Sequence, residues 1–263
     1  LALLRPRWGE DSGALRSRAL DLVVCLDVSR SMLARDVRPT RLAAAQSRIR
    51  ALAEGVRGER LALVLFAGEA RLAIPLTADV DSFAELVDAA SPESIGRGGT
   101  DLEAALQAAL AALSSSKDRA ATIVLLSDGE DLGGRGSSAA EECRRRGIRV
   151  HCLGLGSELG AKIAIEHEGG ESFLRDQAGK DVISALDSTS LRRLAAATGG
   201  TFVDASGRED ALPALSALRA QGRARTTLGD REPGAPKERF QWPLLVATLL
   251  WMLELAWSER RRA

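Results

Sequence analysis

The sequence predicts an α/β domain over residues 18–220: a doubly wound, mostly parallel six-stranded sheet with one antiparallel edge strand. Three observations carry this. Short, unbroken apolar runs such as Leu22–Leu26 and Ile123–Leu126 read as strands buried on both faces. Stretches with apolar residues at helical spacing alternate with those runs. Two of the runs end on polar loops, Asp27-Val28-Ser29-Arg30-Ser31 and Ser127-Asp128-Gly129-Glu130-Asp131. In open α/β sheets, ligands bind beyond the carboxyl ends of the strands.

The elements follow in order. Leu22–Leu26 is the first strand, and Met32–Thr40 is a loop in which Pro39 stops any earlier helix and Thr40 can cap the next. Leu42, Ala45, Ile49, Leu52 and Val56 give a helix over Leu42–Val56. Arg60–Phe66 is a strand, and Gly68-Glu69 turns it into Ala70–Leu76, an antiparallel edge strand that tolerates Pro75. Asp79–Ala89 is a short helix, Ser91–Thr100 a Pro/Gly-rich loop, and Leu102–Leu113 a helix that Gly98-Gly99-Thr100-Asp101 opens. Beyond the second polar loop come the loop Gly133–Ser138, the helix Ala139–Arg146 and the strand Ile148–Leu155. Ser157–Leu186 breaks the rhythm. Its turn signals at Gly169-Gly170 and Gly179-Lys180 predict hairpin-like excursions on the sheet edge. Ser190–Thr198 is a helix with Ser190 as its cap and Gly199-Gly200 as its end, Thr201–Asp204 the sixth strand, and Arg208–Leu218 the last helix of the domain.

Composition narrows the function classes. The chain has 263 residues, 45% hydrophobic and 27% charged, which suits one domain with a full core plus appendages. A formal net charge of zero gives no reason to expect a nucleic-acid partner. Cys25, Cys143 and Cys152 form no CxxC pair and no Cys/His cluster, so neither a zinc site nor a disulfide framework is expected. His151 and His167 have no neighbouring Cys or Asp arrangement and read as structural or solvated.

The chemistry lies in the polar loops. Asp27, Ser29 and Ser31 place one carboxylate and two hydroxyls on one tight turn. Oxygen donors of this kind suit a hard divalent cation, Mg²⁺ or Mn²⁺, although a strand followed by a Ser-rich turn has the same pattern. Enzymatic readings find less support, and no catalytic residue is assigned. The GxGxxG of dinucleotide binding is missing, and Gly96–Thr100 lacks the GK[ST] ending of a phosphate loop. An aspartyl-phosphate phosphatase of the haloacid dehalogenase type needs a second Asp where this chain has Ser29, and a well-placed Lys, yet no Lys precedes Lys117. A magnesium-dependent hydrolase is the remaining enzymatic alternative.

The ends suggest a membrane. Phe240–Trp257 carries a single charge, Glu254, with Trp242 and Trp257 near its ends. An 18-residue helix spans about 27 Å against a hydrocarbon core of roughly 30 Å, so residues 240–257 are expected to form a transmembrane helix. An amphipathic helix docked on the domain is the alternative. Residues 221–239 read as a linker, 258–263 as a basic tail, and 1–10 as the end of a membrane helix. Arg260–Arg262 would lie in the cytoplasm, which puts the domain on the outer, periplasmic side.

Asp27, Ser29, Ser31, Thr100 and Asp128, in this order and in these contexts, resemble the metal-ion-dependent adhesion site of von Willebrand factor A domains. That resemblance implies the sheet order 3-2-1-4-5-6, an Mg²⁺ or Mn²⁺ ion held by those five residues, and a partner protein whose acidic side chain completes the coordination. The segments SRSMLARDVRPTRL, VLFAGEARLAIPLT, DAASPESIGRGGTDL, LLSDGEDLGG, FLRDQAGKDVISALD, ATGGTFVDAS and ERFQWPLL further resemble bacterial aerotolerance-type (Bat) membrane proteins. This implies a protein of the bacterial inner membrane with no established enzymatic activity, acting in an envelope assembly with other Bat-like proteins. The alternative is an adaptor working with a MoxR-type AAA+ ATPase in metal or cofactor insertion.

Overall fold

The computed structural model describes residues 7–10, 20–56, 58–115, 119–130, 137–167, 170–176, 178–207, 236–238, 248 and 250–251. The chain divides into two compact units, one made of Leu1–Ser17 with Ala224–Ala263 and the other of Arg18–Arg223.

In the smaller unit, β1 (Arg7–Glu10) pairs antiparallel with a strand at Pro236–Glu238. Residues 7–10, expected to end a membrane helix, are therefore extended, and residues 236–238 of the expected linker pair with them. Pairing satisfies backbone groups that a linker would leave to water. Among the described residues no helix is long and apolar enough to cross a membrane. Within the expected span 240–257 only Thr248, Leu250 and Trp251 are described, all three helical. The span as a whole, like the expected helix Arg208–Leu218, lies outside the described residues.

The larger unit holds the sheet. Its strands are β2 (Leu20–Asp27), β3 (Arg60–Phe66), β4 (Ala70–Thr77), β5 (Ala120–Ser127), β6 (Arg149–Gly154) and a sixth at Phe202–Asp204. Counted along the chain these six lie in the order 3-2-1-4-5-6; β4, at one edge, is antiparallel and the other pairings are parallel. Helices α1 (Arg41–Gly55) and α2 (Val80–Asp88) cover one face, and α3 (Leu102–Ala112), α4 (Ser137–Arg145) and α5 (Ser188–Thr198) the other.

The alternation of β2 explains why this strand is central. Leu22, Val24 and Leu26 pack with Ile49, Leu52, Phe83 and Val87 of the first helix layer. Val23 and Cys25 pack with Leu106, Ala109, Cys143 and Leu191 of the second. Both side-chain sets of a period-2 element are thus buried, which only a sheet covered on both faces allows. Full burial of each Val or Leu is worth roughly 1.5–3 kcal/mol.

The structure departs from expectation in the caps and in the 157–186 segment. Thr40 does cap α1, its Oγ1 accepting from the Ala43 amide at 3.1 Å. The cap of α5 is Asp187, not Ser190: its carboxylate accepts from the Ser190 amide at 3.0 Å, and a carboxylate also complements the helix dipole. Segment 157–186 is hairpin-like, as its turn signals predict, but its strands stay separate from the six-stranded sheet. It forms two separate antiparallel pairs, β7 (Ala161–Lys162) with β10 (Ile183–Ser184) and β8 (Ala164–His167) with β9 (Gly170–Phe173). It is tied to the loops beyond the strands' carboxyl ends, through a bridge between Ile163 and Ala34 and bonds from the Ser157 amide to Asp36 Oδ2 (2.7 Å) and from the Ala185 amide to Glu130 Oε1 (3.0 Å).

Candidate functional site

Strand register brings the two polar loops together. β2 and β5 are adjacent and parallel, with Leu26 opposite Leu126. Asp27 is the last residue of β2, and Asp128 follows the last residue of β5. Both carboxylates are completely buried. Thr100 comes from the third loop. The Asp101 amide bonds to the Ala67 carbonyl (2.8 Å) and the Gly68 amide to the Arg97 carbonyl (3.0 Å), which ties the Gly-rich loop to the end of β3.

The hydrogen bonds fix the orientation of each group. Asp27 Oδ1 accepts from the Ser29 amide at 2.8 Å, and Asp27 Oδ2 accepts from Ser127 Oγ at 2.6 Å. The hydroxyls of Ser29 and Ser31 lie 2.9 Å apart. Ser29, Ser31, Thr100 and Glu130 line one cleft of ≈ 510 Å³, whose walls include Ile95, Ile163 and Leu174 and whose exposed arginines are Arg30 and Arg97. Burial, with Asp128 close by, pushes the Asp27 carboxyl up to about 7. The same two causes raise Glu130. Two carboxylates held in a dry corner disfavour their own charge.

Sequence reasoning did not foresee the cation already present. Arg41 is the first residue of α1, and its side chain is 0% exposed. Nε and Nη2 donate to the two oxygens of Asp36 at 2.8 and 2.7 Å. Nη1 donates to Asp128 Oδ2 at 2.9 Å and to Ser184 Oγ at 2.8 Å. Nη2 also donates to the Ser184 carbonyl at 3.0 Å. All five N–H donors of the fork are matched. Burial works against its charge, but the Asp36 hydrogen bonds and the Asp128 charge outweigh this and raise its pKa. Asp36 is lowered despite desolvation, through its bonds to Arg41 and to the Ser157 amide. Arg41 offsets only one of the acidic side chains gathered here, Asp27, Asp36, Asp128 and Glu130, so the corner stays rich in carboxylates. A cation at the start of a helix opposes the macrodipole, and the acidic partners of Arg41 offset that misfit.

The five expected residues thus converge on one end of the sheet. Ser127, Arg41, Asp36 and Ser184 join them unforeseen. The donor set is entirely oxygen, as a hard divalent cation requires. Among the described residues no group of three or more His, Cys, Asp or Glu forms a metal cluster, so any cation here would depend on the hydroxyls.

Residues 22–130, which contain all five, match the family model described as the von Willebrand factor type A domain. A UPF0353 protein of Nocardia farcinica is 30% identical over 82% of this chain and 66% of its own length. A second UPF0353 protein, from Mycobacterium avium, is 26% identical over 83% of this chain and 65% of its own length. The chain therefore spans slightly under two thirds of these curated relatives. Among solved structures, an aerotolerance-related membrane protein from Bacteroides fragilis aligns at a TM-score of 0.72 with 29% identity, covering 78% of this chain and all of that one (100%). BatB from Bacteroides thetaiotaomicron aligns at 0.72 with 28% identity, covering 79% of this chain and 98% of that one.

Proposed function

We propose, for a chain that carries a von Willebrand factor type A domain, that its activity is divalent-metal-dependent capture of another protein, without turnover of a substrate. The observation that carries this reading is the buried pair Asp27 and Asp128 at adjacent strand ends, beside the loops whose Ser29, Ser31 and Thr100 line one cleft. In this reading Ser29, Ser31, Thr100, Asp27 and Asp128 hold Mg²⁺ or Mn²⁺, directly or through water. When bound, the ion supplies an open position that a carboxylate of the partner fills. Arg30 and Arg97 on the cleft suit the same acidic group. Ser29 stands where a phosphatase of this layout would need its second carboxylate, which argues for binding over hydrolysis.

The wider setting is inferred from the relatives. The Bacteroides fragilis neighbour is described as an aerotolerance-related membrane protein. We place this chain likewise in a bacterial inner membrane through residues 240–257, with the domain on the periplasmic side, as part of an assembly with other Bat-like proteins. An adaptor for a MoxR-type AAA+ ATPase is the second reading, and it requires the domain to face the cytoplasm.

The test is capture from solubilised membranes by the full chain, with Mg²⁺ or with EDTA, beside Asp27→Ala and Asp128→Ala. A partner lost in EDTA and in a folded variant supports the reading. Partners retained under both treatments contradict it.

A further inference from the structure

Segment 157–186 and the candidate metal site are bonded to each other at several points, and one side chain, Arg41, reaches both. Arg41 joins Asp128 Oδ2 to both the hydroxyl and the carbonyl of Ser184. Ser184 Oγ also donates to Asp128 Oδ2 at 3.3 Å. On the other side of the fork, Asp36 accepts from the Ser157 amide at 2.7 Å. The Ala185 amide bonds to Glu130 Oε1 at 3.0 Å, and the Asp187 amide to the Asp128 carbonyl at 2.8 Å. A Cβ on Gly156 would lie 2.8 Å from the guanidinium carbon, so the backbone closes directly onto the fork. The same segment supplies Ile163 and Leu174 to the cleft wall.

We propose that Arg41 is a positioning residue that couples the metal site to the cleft wall: it fixes Asp128 by one oxygen and docks segment 157–186 against it, so that metal binding and wall closure stabilise each other. This rests on the metal reading above. An ion drawing on Asp128 acts on a carboxylate that is also an anchor of the segment. A docked segment in turn holds Asp128 in place before the ion arrives, which removes an ordering cost from binding. Loading the site then stabilises the partner-facing cleft further. Lysine cannot replace Arg41 here, because a single ammonium cannot reach acceptors on three segments at once.

The experiment uses the full chain and Mn²⁺ as the probe, with Arg41→Lys and Ser184→Ala. Two quantities are read: Mn²⁺ affinity by calorimetry, and hydrogen exchange of the Ala185 and Asp187 amides with and without Mn²⁺. In the wild type, Mn²⁺ slows both amides. Each folded variant binds Mn²⁺ more weakly, Arg41→Lys by about tenfold or more, and Mn²⁺ no longer slows the two amides. A purely structural arginine would lower stability while leaving affinity and the exchange response unchanged in the folded fraction, and that result overturns the proposal. If Arg41→Lys does not fold, Ser184→Ala decides by the same criteria, since it keeps every charge. A wild type that binds no Mn²⁺ overturns the metal reading and the coupling with it. A wild type that binds Mn²⁺ with both variants responding alike overturns the coupling alone.

Discussion

Ser127 Oγ donates a 2.6 Å hydrogen bond to Asp27 Oδ2, joining the last residue of β5 to the last residue of β2. The same oxygen accepts from the Gly129 amide at 2.9 Å. Ser127 thus orients a buried carboxylate and braces the turn that carries Asp128. Ser127→Ala leaves an oxygen of a buried carboxylate without its donor, which costs about 1–3 kcal/mol. Urea unfolding in EDTA should show that loss, and saturating Mg²⁺ should recover part of it, because a ligand specific to the folded state stabilises it. An unchanged midpoint in EDTA contradicts the assignment.

Gly68 tests how Thr100 is placed. A Cβ at this position would lie 2.1 Å from the Gly98 carbonyl oxygen, closer than any atoms pack. Gly68→Ala must therefore push the Gly-rich loop away from the end of β3. The expected outcome is a folded protein whose Mn²⁺ affinity falls several-fold, about 1 kcal/mol in binding free energy, because one hydroxyl donor moves. Calorimetry compared with thermal unfolding separates the loss of affinity from any loss of stability.

Asp21 provides the control at the opposite end of the same strand. Its buried carboxylate meets Arg60 Nη2 at 2.5 Å and Arg119 Nε at 2.6 Å, both arginines being partly exposed. Asp21→Asn should lower stability by about 1–3 kcal/mol, since the arginines can turn to water. Mn²⁺ affinity should not change, because Asp21 lies near the start of β2 and the site lies beyond its end. A matched loss of affinity would mean that the site reports global stability only.

His151 gives a pH dependence with a defined sign. Burial, with Arg149 nearby, lowers its pKa to about 4. Its Nδ1 accepts from the Thr201 amide at 3.2 Å, so the neutral ring carries its proton on Nε2. A group whose folded pKa is depressed below the unfolded value near 6.5 binds more protons when unfolded between those two values. Stability is then fully present above about pH 6.5 and is lost as pH falls towards 4, by up to about 3 kcal/mol at 1.36 kcal/mol per unit. Asp27, raised to about 7, contributes a slope of the opposite sign, so the His151 effect is read as a difference: the gap in thermal midpoint between the wild type and His151→Asn, whose amide oxygen can accept the same bond, should change across this window and stay constant above it. A pH-independent gap between the two proteins would contradict the assignment.

Much of this was legible in the chain. The apolar runs at Leu22–Leu26 and Ile123–Leu126 identified the central strands because burial on both faces removes the alternation of a half-exposed strand. Asp27, Ser29 and Ser31 stood out because polar residues directly after such a run have few structural reasons to be there. Arg41, Asp36 and Ser184 were not legible. They lie 5 and 143 residues apart along the chain, and no local pattern records a contact made only when three loops meet. The 157–186 segment was recognised as an interruption of the βα rhythm. Its attachment beyond the strand ends, away from the sheet edge, depends on Arg41 and Asp128 and not on its own turn signals.

The most direct measurement is a calorimetric titration of the full chain with Mn²⁺, repeated on the double variant Ser29→Ala/Ser31→Ala. Losing two small hydroxyls disturbs the fold little while removing two of the five proposed donors. The account predicts one ion bound per chain in the wild type and binding lost or weakened by about a hundredfold or more in the variant. Equal binding in both proteins, or none in the wild type, would contradict the metal site at the centre of the account.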